Sequence, residues 1–286
     1  MRIANRAGRL VLLTRSGLVD VHTASDGLFD PDPAAAYGRW DELCAWADAR
    51  GDARGVGTGL ADDELAGLGA PAPDPRQVLC IGLNYEDHIV ESGAQRPEAL
   101  TVFTKFPTSL TGPAGEVALP TGSVDWEVEL VLVVGRGGRD IPRDEAWGRL
   151  AGVTGGQDLS ARDVQLRPPA PQFSLGKSFR GFAPTGPFVV TPDELADRDD
   201  VSLACSVNGT EVQGASTSLL VFDVPEIVSA LSRVVELLPG DLVFTGTPAG
   251  VGLGRDPQTY LAPGDVLETT VEGVGRMRHT FVGDAS

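Results

Sequence analysis

One stretch limits the fold of this chain more than any other: Val124-Asp125-Trp126-Glu127-Val128-Glu129-Leu130-Val131-Leu132-Val133-Val134-Gly135. It is apolar and rich in β-branched residues, which reads as a buried strand. Strand side chains alternate faces, so residues i and i+2 point the same way. Glu127 and Glu129 therefore share one side of an interior strand. One unpaired buried carboxylate is costly, and two side by side are costlier still. A positive charge between them resolves the conflict. A divalent ion is the simplest choice, and all-oxygen ligation suits magnesium, manganese or calcium. The opposing reading puts both glutamates on a solvent-facing edge strand, and the long apolar run that follows argues against it.

A third oxygen ligand comes from Gly155-Gly156-Gln157-Asp158. A short helix is expected around Asp144–Ala151. The two glycines then break the chain, and Asp158 follows where backbone can approach a site closely. Glu127, Glu129 and Asp158 would leave several coordination positions open, as a catalytic ion requires if substrate and water are to reach it.

From these residues outward the sequence resembles the fumarylacetoacetate hydrolase superfamily. The resemblance runs from Val78 to Phe281. It rests on Ile81-Gly82-Leu83-Asn84-Tyr85-Glu86-Asp87-His88, Asp125-Trp126-Glu127-Val128-Glu129-Leu130, Gln157-Asp158-Leu159-Ser160-Ala161-Arg162-Asp163, Leu175-Gly176-Lys177-Ser178-Phe179 and Gly240–Gly252, in that order and spacing. It implies the family's mixed β-sandwich roll, assembled as a homodimer. The strand-rich remainder independently reads as a β-dominated α+β fold.

His88 and Glu91 are three residues apart. On one helical turn they share a face, and a carboxylate beside an imidazole makes a general base for water. A solvated surface pair is the competing reading. The resemblance implies instead a short lid helix that closes over substrate, and Gly82 and Gly93 bracket it as possible hinges. Lys177 lies in an apolar-aromatic neighbourhood, where a lysine either reaches solvent or is held by carboxylates. The resemblance places it beside the ion, stabilising an enolate. It also implies that Arg162 and Gln165 contact the substrate carboxylate or ion-bound oxygens, and that Thr247 hydrogen-bonds the carboxylate end. Arg162 has a structural alternative in pairing with Asp163 or Asp158.

Composition narrows the function further. A formal net charge of −17 repels nucleic acid and anionic membranes, so neither is an expected partner, and the small keto acid that the resemblance implies would have to be captured locally by the ion and nearby basic side chains. The longest apolar run, Leu130–Val134, is too short to span a bilayer, and Arg15 closely follows the N-terminal run Leu10–Leu13, unlike a signal peptide. Cys44, Cys80 and Cys205 show no metal or redox pattern, which suits a reduced, cytoplasmic setting.

Two domains are expected, a small N-terminal one over 1–74 and a catalytic one over 75–286, divided at Ala70-Pro71-Ala72-Pro73-Asp74-Pro75. The first holds a hairpin (Leu10–Thr14 with Leu18–Val21) and a helix from Pro33 to Ala49. The second holds strands over Val78–Ile81, Val102–Lys105, Trp126–Val134, Phe188–Thr191, Leu203–Val207, Leu242–Thr245, Val266–Val271 and Arg278–Val282. A helix from Pro225 to Leu238 is capped by Asp223 and ended by Pro239-Gly240. Gly250-Val251-Gly252-Leu253-Gly254 lacks the lysine and spacing of a nucleotide loop. Asn208-Gly209 reads as a hairpin turn rather than a glycosylation site. His22 and His279 have no partner pattern.

The expected activity is divalent-metal-dependent hydrolysis of a C–C bond in a β-diketo acid, such as an acylpyruvate or fumarylacetoacetate-like compound. His88 and Glu91 activate water, and the ion and Lys177 stabilise the expelled enolate. Decarboxylation of oxaloacetate, or isomerisation of an unsaturated keto acid, uses the same groups. A non-catalytic binding protein stabilised by its metal is the reading from another class.

Overall fold

The computed structural model describes residues 1–120 and 122–283. Its organising strand is Val128–Val134, in which every residue is buried. Alternate side chains enter two different cores: Val128, Leu130, Leu132 and Val134 face one, Val131 and Val133 the other. A strand covered on both faces is apolar throughout, which explains the uninterrupted run.

This strand is central to an eleven-stranded sheet. Leu150–Gln157 lies antiparallel on one side, with Val128 opposite Gln157 and Glu129 opposite Gly156. Leu242–Phe244 lies antiparallel on the other, and itself pairs in parallel with Val78–Gly82, whose far side carries Thr101–Thr104. Beyond Leu150–Gln157 come Ala183–Val190, Arg2–Arg6, Arg9–Thr14 and Gly17–Asp20. A second sheet orders Thr210–Ser216, Ser202–Val207, Val266–Val271, Gly275–Gly283 and Ala114–Leu119. Leu203, Leu267 and Phe281 from it join Leu130 and Val153 in the first core. Leu43 and Ala47 of the helix Trp40–Arg50 close the second, against Val131, Val189 and Phe244. The β-dominated α+β class is thus realised. No helix among the described residues is long and apolar enough to cross a membrane.

The sheet runs through the division expected near residue 74. Ile3 pairs with Val189, and the N-terminal helix packs on residues of the central strands. Residues of the proline-rich connection are held as well: Asn5 Nδ2 donates to Ala70 O at 3.0 Å and Tyr37 Oη to Pro71 O at 2.9 Å.

Several elements differ from expectation for local reasons. The helix expected over Pro33–Ala49 is a 3-10 helix over Pro33–Arg39, started by Asp32 accepting from Ala34 N, followed by an α-helix over Trp40–Arg50. Asp223 caps the later helix by accepting from Glu226 N at 2.8 Å. That helix ends at Val234, not Leu238, because Leu237 exchanges two backbone hydrogen bonds with Gly138. The helix expected around Asp144–Ala151 is shortened to Ala146–Arg149, since Leu150 already begins a strand.

Gly155-Gly156 is therefore no break; it is the interior of that strand. Glycine is needed because a Cβ on Gly156 would lie 2.4 Å from Val131 Cγ2 and 2.8 Å from Phe244 Cε1. Gly156→Ala is expected to cost about 1–3 kcal/mol by overpacking, read as a lower denaturant midpoint with an unchanged slope.

His279 is fully enclosed, with Nε2 3.0 Å from Gly112 O and Nδ1 without a partner. Burial lowers its pKa from 6.5 to about 4. The unfolded chain thus binds this proton more readily than the folded one. The resulting stability is fully present above pH 6.5 and is lost as pH falls toward 4, by about 3 kcal/mol in all. Chemical denaturation of wild type and His279→Gln at pH 7 and pH 5 checks this: the wild type should lose more stability between them than the variant.

Candidate active site

The central strand does not carry both glutamates. Val124–Asp125 pairs with Ser160–Ala161, the chain breaks step at Trp126 and Glu127, and the long strand starts at Val128. Side-chain amides replace the missing ladder bonds: Gln157 Oε1 accepts from Glu127 N at 3.0 Å and Gln213 Oε1 from Val128 N at 3.0 Å. Asp158 follows the antiparallel neighbour and donates its N–H to Glu127 O at 2.9 Å. The three carboxylates converge although they do not share one strand face. One oxygen each of Glu127, Glu129 and Asp158 lies within 4.8 Å of the others, and all three residues are buried.

Three cations surround this cluster. Lys177 Nζ is 2.7 Å from Glu127 Oε2 and 2.6 Å from Asp158 Oδ2. Lys105 Nζ donates to Asp158 Oδ1 from the opposite side. Arg162 does not pair with Asp163 or Asp158. Its Nη2 is 2.7 Å from Asp125 Oδ2 and 2.8 Å from Glu127 Oε1, and its Nη1 donates to Gln165 Oε1 at 2.8 Å. Burial disfavours the charge on Glu127, but Lys177 and Arg162 outweigh it and hold the carboxyl at about 2. Burial likewise opposes the charge of Lys177, and Asp158 and Glu127 raise its pKa despite it.

Glu129 is the exception. Among the described residues no cation bridges it, and its Oε2 accepts from Gly246 N at 2.7 Å. Burial first, then the charges of Asp158 and Glu127, push its carboxyl well above the usual range. A fully buried carboxylate facing two others without a cation of its own is what a bound divalent ion would correct. The donor set is all oxygen, which fits a hard ion. Gly246 is fixed in turn by its φ of +104°, and a Cβ there would lie 2.7 Å from Asn84 Cβ.

Asn84 links this floor to the segment that carries His88. Its Nδ2 donates to Thr245 O at 2.7 Å and to Phe222 O at 3.0 Å, and its Oδ1 accepts from Phe222 N at 2.8 Å. The short helix Glu86–Glu91 follows at once. His88 Nδ1 lies 3.2 Å from Glu91 Oε2, and Glu91 Oε1 accepts from Gly250 N at 2.9 Å. Burial raises the Glu91 pKa, but the bonds from His88 and Gly250 prevail and lower it. A cavity of about 530 Å³ brings His88 and Glu91 together with Glu127, Glu129, Arg162 and Lys177. Gln165 and Thr247 line it too. The single hydroxyl proton of Thr247 goes to Val128 O at 3.0 Å, while its oxygen accepts from Gln213 Nε2 at 2.8 Å. A substrate carboxylate would therefore find no hydroxyl donor at Thr247 in this arrangement.

Sequence reasoning missed Lys105 and Asp125. Lys105 ends an alternating strand and looks like any lysine reaching for solvent. Asp125 belongs to the Asp-Trp-Glu block, but only the fold shows it clamping Arg162 while accepting from Gly252 N at 2.6 Å and Leu253 N at 2.9 Å.

Comparison with known proteins agrees with this geometry. Residues 77–282 match the family described as fumarylacetoacetate (FAA) hydrolase, C-terminal. A human relative, oxaloacetate tautomerase FAHD2A, mitochondrial, is 42% identical over 208 residues, covering 72% of this chain and 66% of the relative. The match thus spans just under two thirds of that relative's length. A solved structure from Mycobacterium smegmatis, bearing the name HpcE, superposes with a TM-score of 0.92 at 53% identity over 100% of both chains. Maleylpyruvate hydrolase from Sphingobium sp. SYK-6, solved with manganese(II) and pyruvate, gives 0.78 at 27% identity over 99% of each.

Proposed function

The chain belongs to the fumarylacetoacetate hydrolase family, and on that premise we propose that it hydrolyses a C–C bond in a β-diketo acid of the acylpyruvate type, using magnesium or manganese. The observation that carries this reading is the His88–Glu91 pair opening onto the same cavity as Glu127 and Glu129 of the buried three-carboxylate cluster.

A divalent ion held by Glu127, Glu129 and Asp158 would supply a Lewis acid for the oxygens of the keto-acid head. The chain's own residues do the rest. Glu91, anchored by Gly250 N–H, holds His88 through Nδ1 and leaves Nε2 to take a proton from water. The hydroxide so formed adds to the carbonyl carbon remote from the carboxylate. Collapse breaks the bond from that carbon to the methylene and releases a carboxylic acid. The bonding electron pair passes to the pyruvyl fragment as an enolate, whose charge Lys177 stabilises. The proton held by His88 returns to the methylene carbon, giving pyruvate. Arg162 and Gln165, which both line the cavity, would fix the keto-acid carboxylate.

The test is product stoichiometry. Protein loaded with manganese and given an acylpyruvate should release pyruvate and the corresponding acid in equal amounts. Enol–keto interconversion is the second reading, favoured by the 42% identical relative named as an oxaloacetate tautomerase. It moves a proton and leaves the carbon skeleton intact. An absorbance change on oxaloacetate, with no pyruvate from any acylpyruvate, would replace the hydrolase reading with that one.

A further inference from the structure

The donor inventory of the cavity bears on which keto acids fit. We infer that the site takes substrates whose far end is an uncharged apolar group, alkyl or aryl, and selects against those with a second carboxylate. The inference rests on the keto-acid reading above and names its substrate class.

Arg162 and Lys177 are the two lysine or arginine side chains lining the cavity among the described residues. Arginine has five N–H donors. On Arg162, Nε and Nη2 donate to Asp125, Nη2 also lies 2.8 Å from Glu127 Oε1, and Nη1 donates to Gln165. One N–H remains, on Nη1. Lysine has three donors. Those of Lys177 serve Glu127 and Asp158, which leaves one. Both remaining donors sit at the carboxylate cluster, where the keto-acid head must bind. They suffice for that head and leave nothing for a distant anion.

The rest of the lining gives a second carboxylate no lysine or arginine among the described residues. Leu83, Phe103, Leu166, Phe173, Val251 and Leu253 supply apolar surface, and the Phe103 and Phe173 rings meet edge to face at 5.5 Å. The charged groups left, Glu91, Glu127 and Glu129, are acidic. The Gln258 amide also lines the cavity; one of its two Nε2 protons goes to Leu253 O at 3.1 Å, and the other is a neutral donor that brings no charge to offset a carboxylate. Arg255 is near in sequence but turned away: it stacks on Trp126 at 5.6 Å and donates to Val212 O and Gly250 O. A carboxylate moved from water into this lining gains no ion pair, whereas each buried methylene is worth about fourfold in affinity.

A matched pair of ligands tests this. Calorimetry on manganese-loaded protein compares 2-oxohexanoate with 2-oxoadipate, which share six carbons and differ in the terminal carboxylate, with pyruvate as the head alone. 2-Oxohexanoate should bind at least about tenfold tighter than 2-oxoadipate. Leu166, 42% exposed, tolerates a larger side chain, and Leu166→Arg should shift that ratio at least tenfold toward the diacid. Equal or tighter binding of 2-oxoadipate by the wild type overturns the inference while leaving the keto-acid reading intact, provided pyruvate binds. Failure of pyruvate itself to bind overturns both.

Discussion

Glu129→Gln and Glu127→Gln are expected to abolish metal binding alike and to move the stability of the metal-free protein differently. Each substitution removes one of three charged ligands, so affinity for manganese should fall by more than about 100-fold in calorimetry, and turnover should fall to background. The stability contrast follows from their partners. Glu127 is a buried anion held between Lys177 and Arg162. Neutralising it leaves two buried cations short of a counter-charge, and breaking such pairs costs 3–5 kcal/mol where nothing else compensates. Lys177 keeps Asp158 and Arg162 keeps Asp125, so the loss should be about 2–3 kcal/mol. Among the described residues no cation bridges Glu129, and burial first, then the charges of Asp158 and Glu127, push its carboxyl upward against the smaller pull of Lys177. A neutral amide of the same shape suits that place, with Gly246 N–H still bonded to its oxygen. The metal-free Glu129→Gln protein should therefore melt at or above the wild-type temperature. Equal destabilisation by both substitutions would mean that Glu129 has a cation partner the geometry does not show. Undiminished turnover in excess chelator would remove the metal from the mechanism.

The carboxylate cluster was legible in the chain; its geometry was not. A pair of acids before an apolar run, with an aspartate after two glycines, was enough to name Glu127, Glu129 and Asp158. The supporting argument assumed one continuous strand. It missed the break at Glu127 because that break is sustained by Gln157 and Gln213, 30 and 85 residues away. No local pattern announces such long-range amide contacts. Gly155-Gly156 misled for a related reason. The glycines answer to Val131 and Phe244 on neighbouring strands, and turn chemistry plays no part. Lys105 and Asp125 were invisible as site residues because burial, not residue type, distinguishes them. Strands with alternating apolar residues between turns, such as Val266–Val271, were recovered, whereas Ala114–Leu119, with a glycine and a glutamate inside it, was not. The N-terminal strand Arg2–Arg6 was passed over as well. Its short run, with arginine at both ends, gains its place by pairing between Arg9–Thr14 and Ala183–Val190.

His88→Ala is the other large effect, and it separates chemistry from binding. With Nδ1 committed to Glu91, the proposed mechanism has the imidazole take a proton from water at Nε2. Removing such a base costs about 10²–10⁴ in kcat. On the proposed mechanism the keto-acid head is held by the ion, Arg162 and Lys177 and not by His88, so the dissociation constant for pyruvate on manganese-loaded protein should change by no more than a few-fold. Glu91→Gln should act through His88. It keeps the helix and the cavity shape but weakens the hold on Nδ1, so kcat should fall less than in His88→Ala, by roughly 10–100-fold, with KM little changed. The split between a lowered kcat and an unchanged KM distinguishes this from a merely structural loss. A fall in pyruvate affinity matching the fall in kcat would show instead that the lid helix shapes the pocket. Near wild-type hydrolysis by His88→Ala would require a different base.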